Sequence, residues 1–292
     1  MLRAVLIGLG VTALAVLGWL VFWPAPTVTL DTVARGDITV ERGDYLVKAG
    51  GCISCHSAEE GEPFAGGVAL ASPFGTFYAP NITPDPATGI GGWRDEDFVR
   101  AFRHGVSPDG DFYYPAFPYD FYTGISDTDL LAIKAYLDSL DPIEQQNRPH
   151  ELVWYAGFRP GLRLWNALYL DAGPAPGDRD RGAYLVENLG HCAACHSPRN
   201  RLGGIVEDRR FAGTSNGPGG EAVPNITPHD DGIGDWSAGD IAFFLELGMT
   251  PAGDFVGGEM AAVVEDNTGQ LSAEDRAAIA DYLLGLPARP GP

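Results

Sequence analysis

The chain has 292 residues, of which 45% are hydrophobic, so it is long enough for two ordinary domains with buried cores. Its formal net charge of −20 excludes nucleic acid as a partner, because a polyphosphate would be repelled rather than neutralised. A basic or dipolar protein partner matches such a surface better.

The N-terminal segment predicts a membrane anchor. Residues 4–23 follow Arg3 without a single charged side chain, and such a run is long enough to span a bilayer. The run closes on Trp19, Phe22 and Trp23 rather than on a small-residue cleavage site, which favours an uncleaved transmembrane helix over residues 1–25. With Arg3 held in the cytoplasm, the rest of the chain would face the periplasm from the bacterial inner membrane.

Further along, the pattern Cys-x-x-Cys-His occurs twice and uses all four cysteines. The two copies consist of Cys52, Cys55 and His56, and of Cys192, Cys195 and His196. In this pattern two thiols one helical turn apart form thioethers to haem vinyl groups, and the adjacent histidine binds the iron. A redox disulfide or a zinc site would leave both histidines unexplained. The sequence therefore predicts two haem c groups, with His56 and His196 as proximal ligands.

An internal repeat predicts the domains. Residues 42–47 return as residues 181–186, Pro-Asn-Ile-Thr-Pro at 80–84 returns at 224–228, and residues 105–112 return as 248–255. We expect domain 1 over residues 36–148, an aromatic inter-domain segment and linker over 149–177, and domain 2 over 178–288. Each domain would hold one haem.

The elements within each repeat are expected to be helical, because no sustained alternation indicates strands. The first helix would lead into the Cys-x-x-Cys-His motif, the middle one would cover residues 94–103 or 237–247, and the last one 127–140 or 273–284. Ser126, Ser237 and Ser272 have the spacing of helix N-caps. Gly43 and Gly182 would let the first helix cross the last one closely, facing Tyr136 and Tyr282.

The sixth iron ligands differ between the repeats. Met249 and Met260 are the only methionines besides the initiator, and Met260 is predicted to bind the second haem because it lies in a loop that can turn onto the iron. The first repeat has no methionine, and Phe117 occupies the position that corresponds to Met260. Its sixth ligand could be His104, a tyrosine or water, or the position could be open. The candidate tyrosines are Tyr114, Tyr119 and Tyr122.

The chain resembles the multihaem cytochrome c subunits of periplasmic alcohol, aldehyde and gluconate dehydrogenases. The resemblance rests on the Cys-x-x-Cys-His and Pro-Asn-Ile-Thr-Pro motifs, on residues 114–119, and on Ser126-Asp127 before a final helix that contains residues 135–137. It implies an all-α fold, with two class I cytochrome c domains in tandem after the transmembrane helix.

The implied function is the passage of single electrons from a dehydrogenase to the respiratory chain, with no substrate transformed by this chain. The expected partners are the membrane and a redox protein, such as a periplasmic dehydrogenase, a soluble cytochrome or a terminal oxidase. The alternative is a catalytic first haem with an open site, which would act on peroxide or a sulfur oxyanion and use the second haem as an electron relay.

Overall fold

The computed structural model describes residues 8, 10–12, 15, 18–19, 24–30, 35–174 and 179–292. Its helices and strands in chain order are α1 (Val40–Ala49), α2 (Cys52–His56), β1 (Ala69–Ser72), β2 (Gly75–Tyr78), α3 (Asp95–His104), α4 (Tyr119–Tyr122), α5 (Asp127–Asp138), β3 (Glu151–Leu152), α6 (Gly161–Tyr169), α7 (Arg181–Tyr184), α8 (Ala193–His196), α9 (Ala238–Leu247), α10 (Gly258–Asp266) and α11 (Ala273–Leu284). A π-helix over Leu185–Leu189 continues α7, and the short 3-10 turns are Arg35–Asp37, Glu207–Arg209, Pro218–Gly220 and Thr268–Gln270.

The prediction of an all-α fold is wrong, because a three-stranded antiparallel sheet forms between residues 69 and 152. Strands β1 and β2 form a hairpin in which Leu70 lies opposite Phe77, and β2 also pairs with β3. Gly75 has a φ of 118°, and a Cβ there would lie 2.2 Å from the Glu151 carbonyl oxygen. The sheet therefore needs glycine at this position. Strands of two to four residues are too short for a visible alternation of apolar and polar residues.

The expected membrane anchor over residues 1–25 is not supported. Most of these residues lie outside the described part of the chain. In the described part, no helix is both long enough and apolar enough to cross a membrane.

The helix starts follow the side-chain caps that the sequence predicts. Ser126, Ser237 and Ser272 each accept a hydrogen bond from the backbone amide three residues later, at 3.1 to 3.2 Å. Their helices α5, α9 and α11 begin at the next residue in each case. The three predicted caps are thus confirmed, because this hydrogen bond satisfies one of the free amides of the first turn.

Each repeat is built on a close crossing of its first and last helices. A Cβ added at Gly43 would lie 2.0 Å from the Ala132 carbonyl oxygen and 2.7 Å from Cβ of Tyr136. At Gly182 the corresponding distances, to Ala278 and Tyr282, are 2.0 and 2.8 Å. The predicted contacts are confirmed, and they explain why both positions are glycine. The domain limits at 36–148 and 178–288 stay a prediction.

Candidate functional site

The two Cys-x-x-Cys-His motifs form short helical turns, α2 and the stretch that ends in α8. None of the four cysteines forms a disulfide. Burial raises the pKa of the Cys52 and Cys192 thiols to about 12. Across the described residues, no three His, Cys, Asp or Glu side chains are grouped to hold a metal ion.

Both motif histidines are oriented by a carbonyl from the repeated Pro-Asn-Ile-Thr-Pro segment. His56 Nδ1 lies 2.8 Å from the Pro80 carbonyl oxygen, and His196 Nδ1 lies 2.8 Å from that of Pro224. Since a carbonyl only accepts, Nδ1 must donate, which leaves the Nε2 lone pair for an iron. Burial lowers the pKa of both imidazoles, which keeps the ligating form neutral. The residues present therefore fit a haem at each motif.

An asparagine and a threonine hold each of these carbonyl segments in place. The Asn81 side chain accepts from the Thr83 amide at 2.9 Å, and Asn225 accepts from the Thr227 amide at 2.8 Å. Asn81 and Asn225 are 2% and 4% exposed, so these polar groups are satisfied inside the protein. The repeated segment is visible in the sequence, but its role in orienting the histidines was not predicted from the sequence.

The position that corresponds to Met260 in the first repeat is part of an aromatic cluster. The Phe117 ring lies 5.0 Å from that of Phe102 and 5.7 Å from that of Tyr122, measured between centroids. The Tyr122 hydroxyl donates to the Gly50 carbonyl oxygen at 3.1 Å, two residues before Cys52. This cluster therefore lines the first motif with rings rather than with a soft ligand.

The remaining ligand candidates of the first haem lie in different surroundings. The Tyr119 hydroxyl donates to Asn166 Oδ1 at 2.6 Å, and burial raises the pKa of Tyr119. The Tyr114 ring packs 5.2 Å from Phe77 and 5.6 Å from His150. His104 is the last residue of α3, where burial and the nearby arginine charges lower its pKa.

The expectation of a loop at Met260 is wrong, because this residue lies in the first turn of α10, where it is partly buried. The neighbouring Glu259 lies close to both motifs. Burial raises the pKa of the Cys55 and Cys195 thiols, that of Cys195 to about 11, and the Glu259 carboxylate adds to the increase at both. At the other end of α10, Asp266 accepts a hydrogen bond from Ser54 at 3.0 Å. Helix α10 thus connects the two haem-attachment motifs.

Two tyrosines cross between the repeats in a reciprocal arrangement that sequence reasoning missed. Tyr45 donates to Asp275 at 2.6 Å, and Tyr184 donates to Asp129 at 2.7 Å. Each hydroxyl also accepts from the backbone amide of the serine that caps α11 or α5, at 3.1 Å. Both tyrosines lie in the helix that leads to a haem motif. The repeats are therefore fixed to each other next to the haem attachments.

The segment that leads to the second motif is one residue longer than its counterpart in the first repeat. Ten positions separate Arg42 from Cys52, whereas eleven separate Arg181 from Cys192, and the π-helix Leu185–Leu189 absorbs the difference. His191 takes a left-handed conformation, with a φ of 38°, where the first repeat has a glycine with a φ of 61°. Its ring contacts that of Tyr122 at 5.2 Å.

Comparisons with known proteins agree with this geometry. The cytochrome c family model matches residues 180–287. Over 99% of both chains, the protein is 43% identical to a diheme cytochrome c-type protein of Cereibacter sphaeroides. It is 40% identical to the gluconate 2-dehydrogenase cytochrome c subunit of Pantoea cypripedii, over 87% of this chain and 60% of the relative.

The cytochrome c subunit of the quinone alcohol dehydrogenase of Gluconobacter oxydans is 38% identical over 86% of this chain and 55% of its own length. The chain thus spans little more than half the length of the two dehydrogenase subunits. The predicted family, the haem c cofactors and the role as an electron carrier rather than an enzyme are confirmed. With two attachment motifs of matched geometry and a relative of the same length, this chain belongs to the diheme cytochromes c, which transfer electrons by haem.

Proposed function

We propose that this protein receives single electrons from a dehydrogenase and passes them to the respiratory chain on the periplasmic side of the cytoplasmic membrane. The support is that relatives at 40% and 38% identity are named as cytochrome c subunits of gluconate and alcohol dehydrogenases. A fructose dehydrogenase cytochrome subunit of Gluconobacter japonicus is 36% identical over 86% of this chain. These names give no support to a catalytic first haem.

The residues of this chain do the work of holding the redox groups. When bound, each haem supplies a one-electron couple between ferrous and ferric iron. Pro80 and Pro224 fix the orientation of the proximal imidazoles. Tyr45 and Tyr184 tie the helix before each motif to the other repeat. The two sites are alike and are held to each other by hydrogen bonds, and this is the observation that carries the proposal. Two redox groups at a fixed distance can exchange an electron without a rearrangement of the protein.

We further propose that Met260 is the sixth ligand of the second haem, as the soft sulfur that favours ferrous iron. For the first haem, the hydroxyls of Tyr119 and Tyr122 already donate to protein oxygens, and the Tyr114 ring is packed between Phe77 and His150. These contacts leave His104 or water as the proposed ligand. Magnetic spectra of the oxidised His104→Ala protein decide between them, because a new high-spin haem is expected only if His104 is bound.

Redox titration of the purified holoprotein tests the proposed function. We expect two one-electron steps and rapid reduction by a periplasmic dehydrogenase expressed with the chain. Turnover of peroxide by the isolated chain, together with slow reduction by such a dehydrogenase, would contradict the proposal. A reporter enzyme active only in the periplasm, fused after residue 292, tests the location, and an inactive fusion would overturn it.

A further inference from the structure

The second repeat has an apolar face that is open to solvent. On α9, Phe243 and Leu247 are 42% and 53% exposed, and Phe255 in the following loop is 73% exposed. Residues four apart on a helix share one side, so the two α9 residues form a single surface. We call Phe243, Leu247 and Phe255 the α9 face. Contiguous apolar groups of this kind mark interaction sites more often than scattered ones do.

The same position in the first repeat is covered, although its backbone is the same. Phe112 corresponds to Phe255 and is only 8% exposed. Both phenylalanines form an isolated antiparallel bridge with the loop before them. The Tyr113 amide donates to the Gly105 carbonyl at 2.7 Å, and the Val256 amide donates to that of Gly248 at 2.8 Å. The exposed fractions of Phe112 and Phe255 therefore differ because another segment packs over Phe112, and not because the two loops have different conformations.

Helix α6 and the residues before it supply that cover in the first repeat. The Arg163 guanidinium lies 4.6 Å above the Phe112 ring, and Arg159 donates to the Phe112 carbonyl oxygen at 3.1 Å. Asn166 donates to the carbonyl oxygen of His104, the counterpart of Leu247, at 3.0 Å. In the first repeat, the surface that corresponds to the α9 face thus binds a helix whose arginine stacks on a phenylalanine ring.

We propose that the α9 face is the docking surface for an arginine-bearing helix of the redox partner protein. Asp254 is adjacent in sequence to Phe255 and adds negative charge at its edge, whereas Glu246 beside Leu247 already forms an ion pair with Arg276 at 3.0 Å. A second copy of this chain fits poorly, because two chains of formal charge −20 repel each other. The partner's redox role rests on the proposed function. The face also ends just before α10, which carries Met260, so docking there brings the partner close to the proposed ligand of the second haem.

The test uses the complete holoprotein and a synthetic helix that copies the cover of the first repeat. The probe is a peptide of residues 157–170, stapled between positions 164 and 168, where Leu164 and Leu168 are exposed and do not face the covered surface. The staple removes the entropic cost of ordering the helix. Calorimetry measures the affinity, and hydrogen–deuterium exchange locates the site. We expect one site per chain and protection confined to residues 243–256.

Matched variants give the test its specificity. Phe255→Ser should weaken binding about tenfold or more, as expected for a central aromatic contact. Trp154→Ser removes a ring that is 90% exposed elsewhere and should leave binding unchanged. A control peptide with Glu at both arginine positions should not bind. The visible spectra and redox titrations of the variants should match those of the unaltered protein. A failure of the proposed electron-transfer function would therefore appear in those measurements, whatever the result of the peptide-binding experiment.

Four results would overturn the proposal. These are no binding of the arginine peptide, equal binding of the glutamate peptide, full affinity in Phe255→Ser, and protection outside residues 243–256. A concentration-dependent dimer that is lost in Phe255→Ser would assign the α9 face to a second copy of this chain instead.

Discussion

The reciprocal tyrosines predict a measurable coupling between the two repeats. Replacing Tyr184 by Phe keeps the ring and removes the hydroxyl that donates to Asp129 at 2.7 Å. The Asp129 side chain is 5% exposed, and it keeps its ion pair with Arg42. Hydrogen bonds to a buried charged group contribute about 1.5–3 kcal/mol. The amide of Ser126 also loses an acceptor, so we expect a loss of about 2–3 kcal/mol in the free energy of unfolding.

The assay is urea unfolding of the oxidised holoprotein, followed by far-ultraviolet circular dichroism. Tyr45→Phe should cost a similar amount, because Tyr45 donates to Asp275 in the equivalent way. If the repeats begin to unfold separately, the transition should also broaden. Tyr155→Phe is the matched control, since this side chain is 53% exposed and should change stability by less than about 0.5 kcal/mol. If Tyr45→Phe and Tyr184→Phe both changed stability as little as Tyr155→Phe, the reasoning would be refuted.

Three further changes test other parts of the structure. Gly43→Ala should destabilise the fold by on the order of 1–3 kcal/mol in thermal unfolding, because its Cβ would lie 2.0 Å from a backbone oxygen. Gly92→Ala is the control and should be neutral, because its Cβ would lie 3.8 Å from the nearest backbone oxygen. Equal effects of the two substitutions would contradict the close crossing. Met260→Ala should abolish the sulfur-to-iron absorption band of the oxidised protein, whereas Met249→Leu should retain it, and survival of the band in the first variant would reject Met260 as a ligand. Burial raises the pKa of Asp120 from 3.8 to about 6, so folding favours its protonated form. Up to about 3 kcal/mol of stability should therefore be lost as pH rises between those values. Urea unfolding at about pH 4 and about pH 8 should show that Asp120→Asn removes this loss, and an unchanged pH dependence would contradict the reasoning.

The sequence predicted the features that depend on nearby residues. Ser272 caps α11, and the helix covers Ala273–Leu284, which are its predicted limits. The capping signal lies within four residues of the helix start, so it can be seen in the chain. The helix crossings at Gly43 and Gly182 were predictable because the repeat shows the same glycine twice. The two haem-attachment motifs were clear for the same reason.

The features that were missed depend on contacts between distant residues. Tyr45 and Asp275 are 230 positions apart, and neither residue carries a local signal for the other. Strand β3 has two residues and pairs with β2 across more than 70 positions, so no periodic pattern could reveal it. The role of the Pro80 carbonyl was also hidden, because a backbone oxygen leaves no trace in side-chain identity. Only the repetition of its segment could have drawn notice to it.

The π-helix before the second motif has a consequence for comparing the two halves of such proteins. Because Leu185–Leu189 forms one widened turn, a whole residue was accommodated without moving the histidine that binds Pro224. Duplicated segments can therefore drift in length while their covalent attachment chemistry stays constant. An ungapped comparison anchored at Cys52 and Cys192 would place Tyr45 opposite Leu185 instead of Tyr184. It would hide the very symmetry that joins the halves.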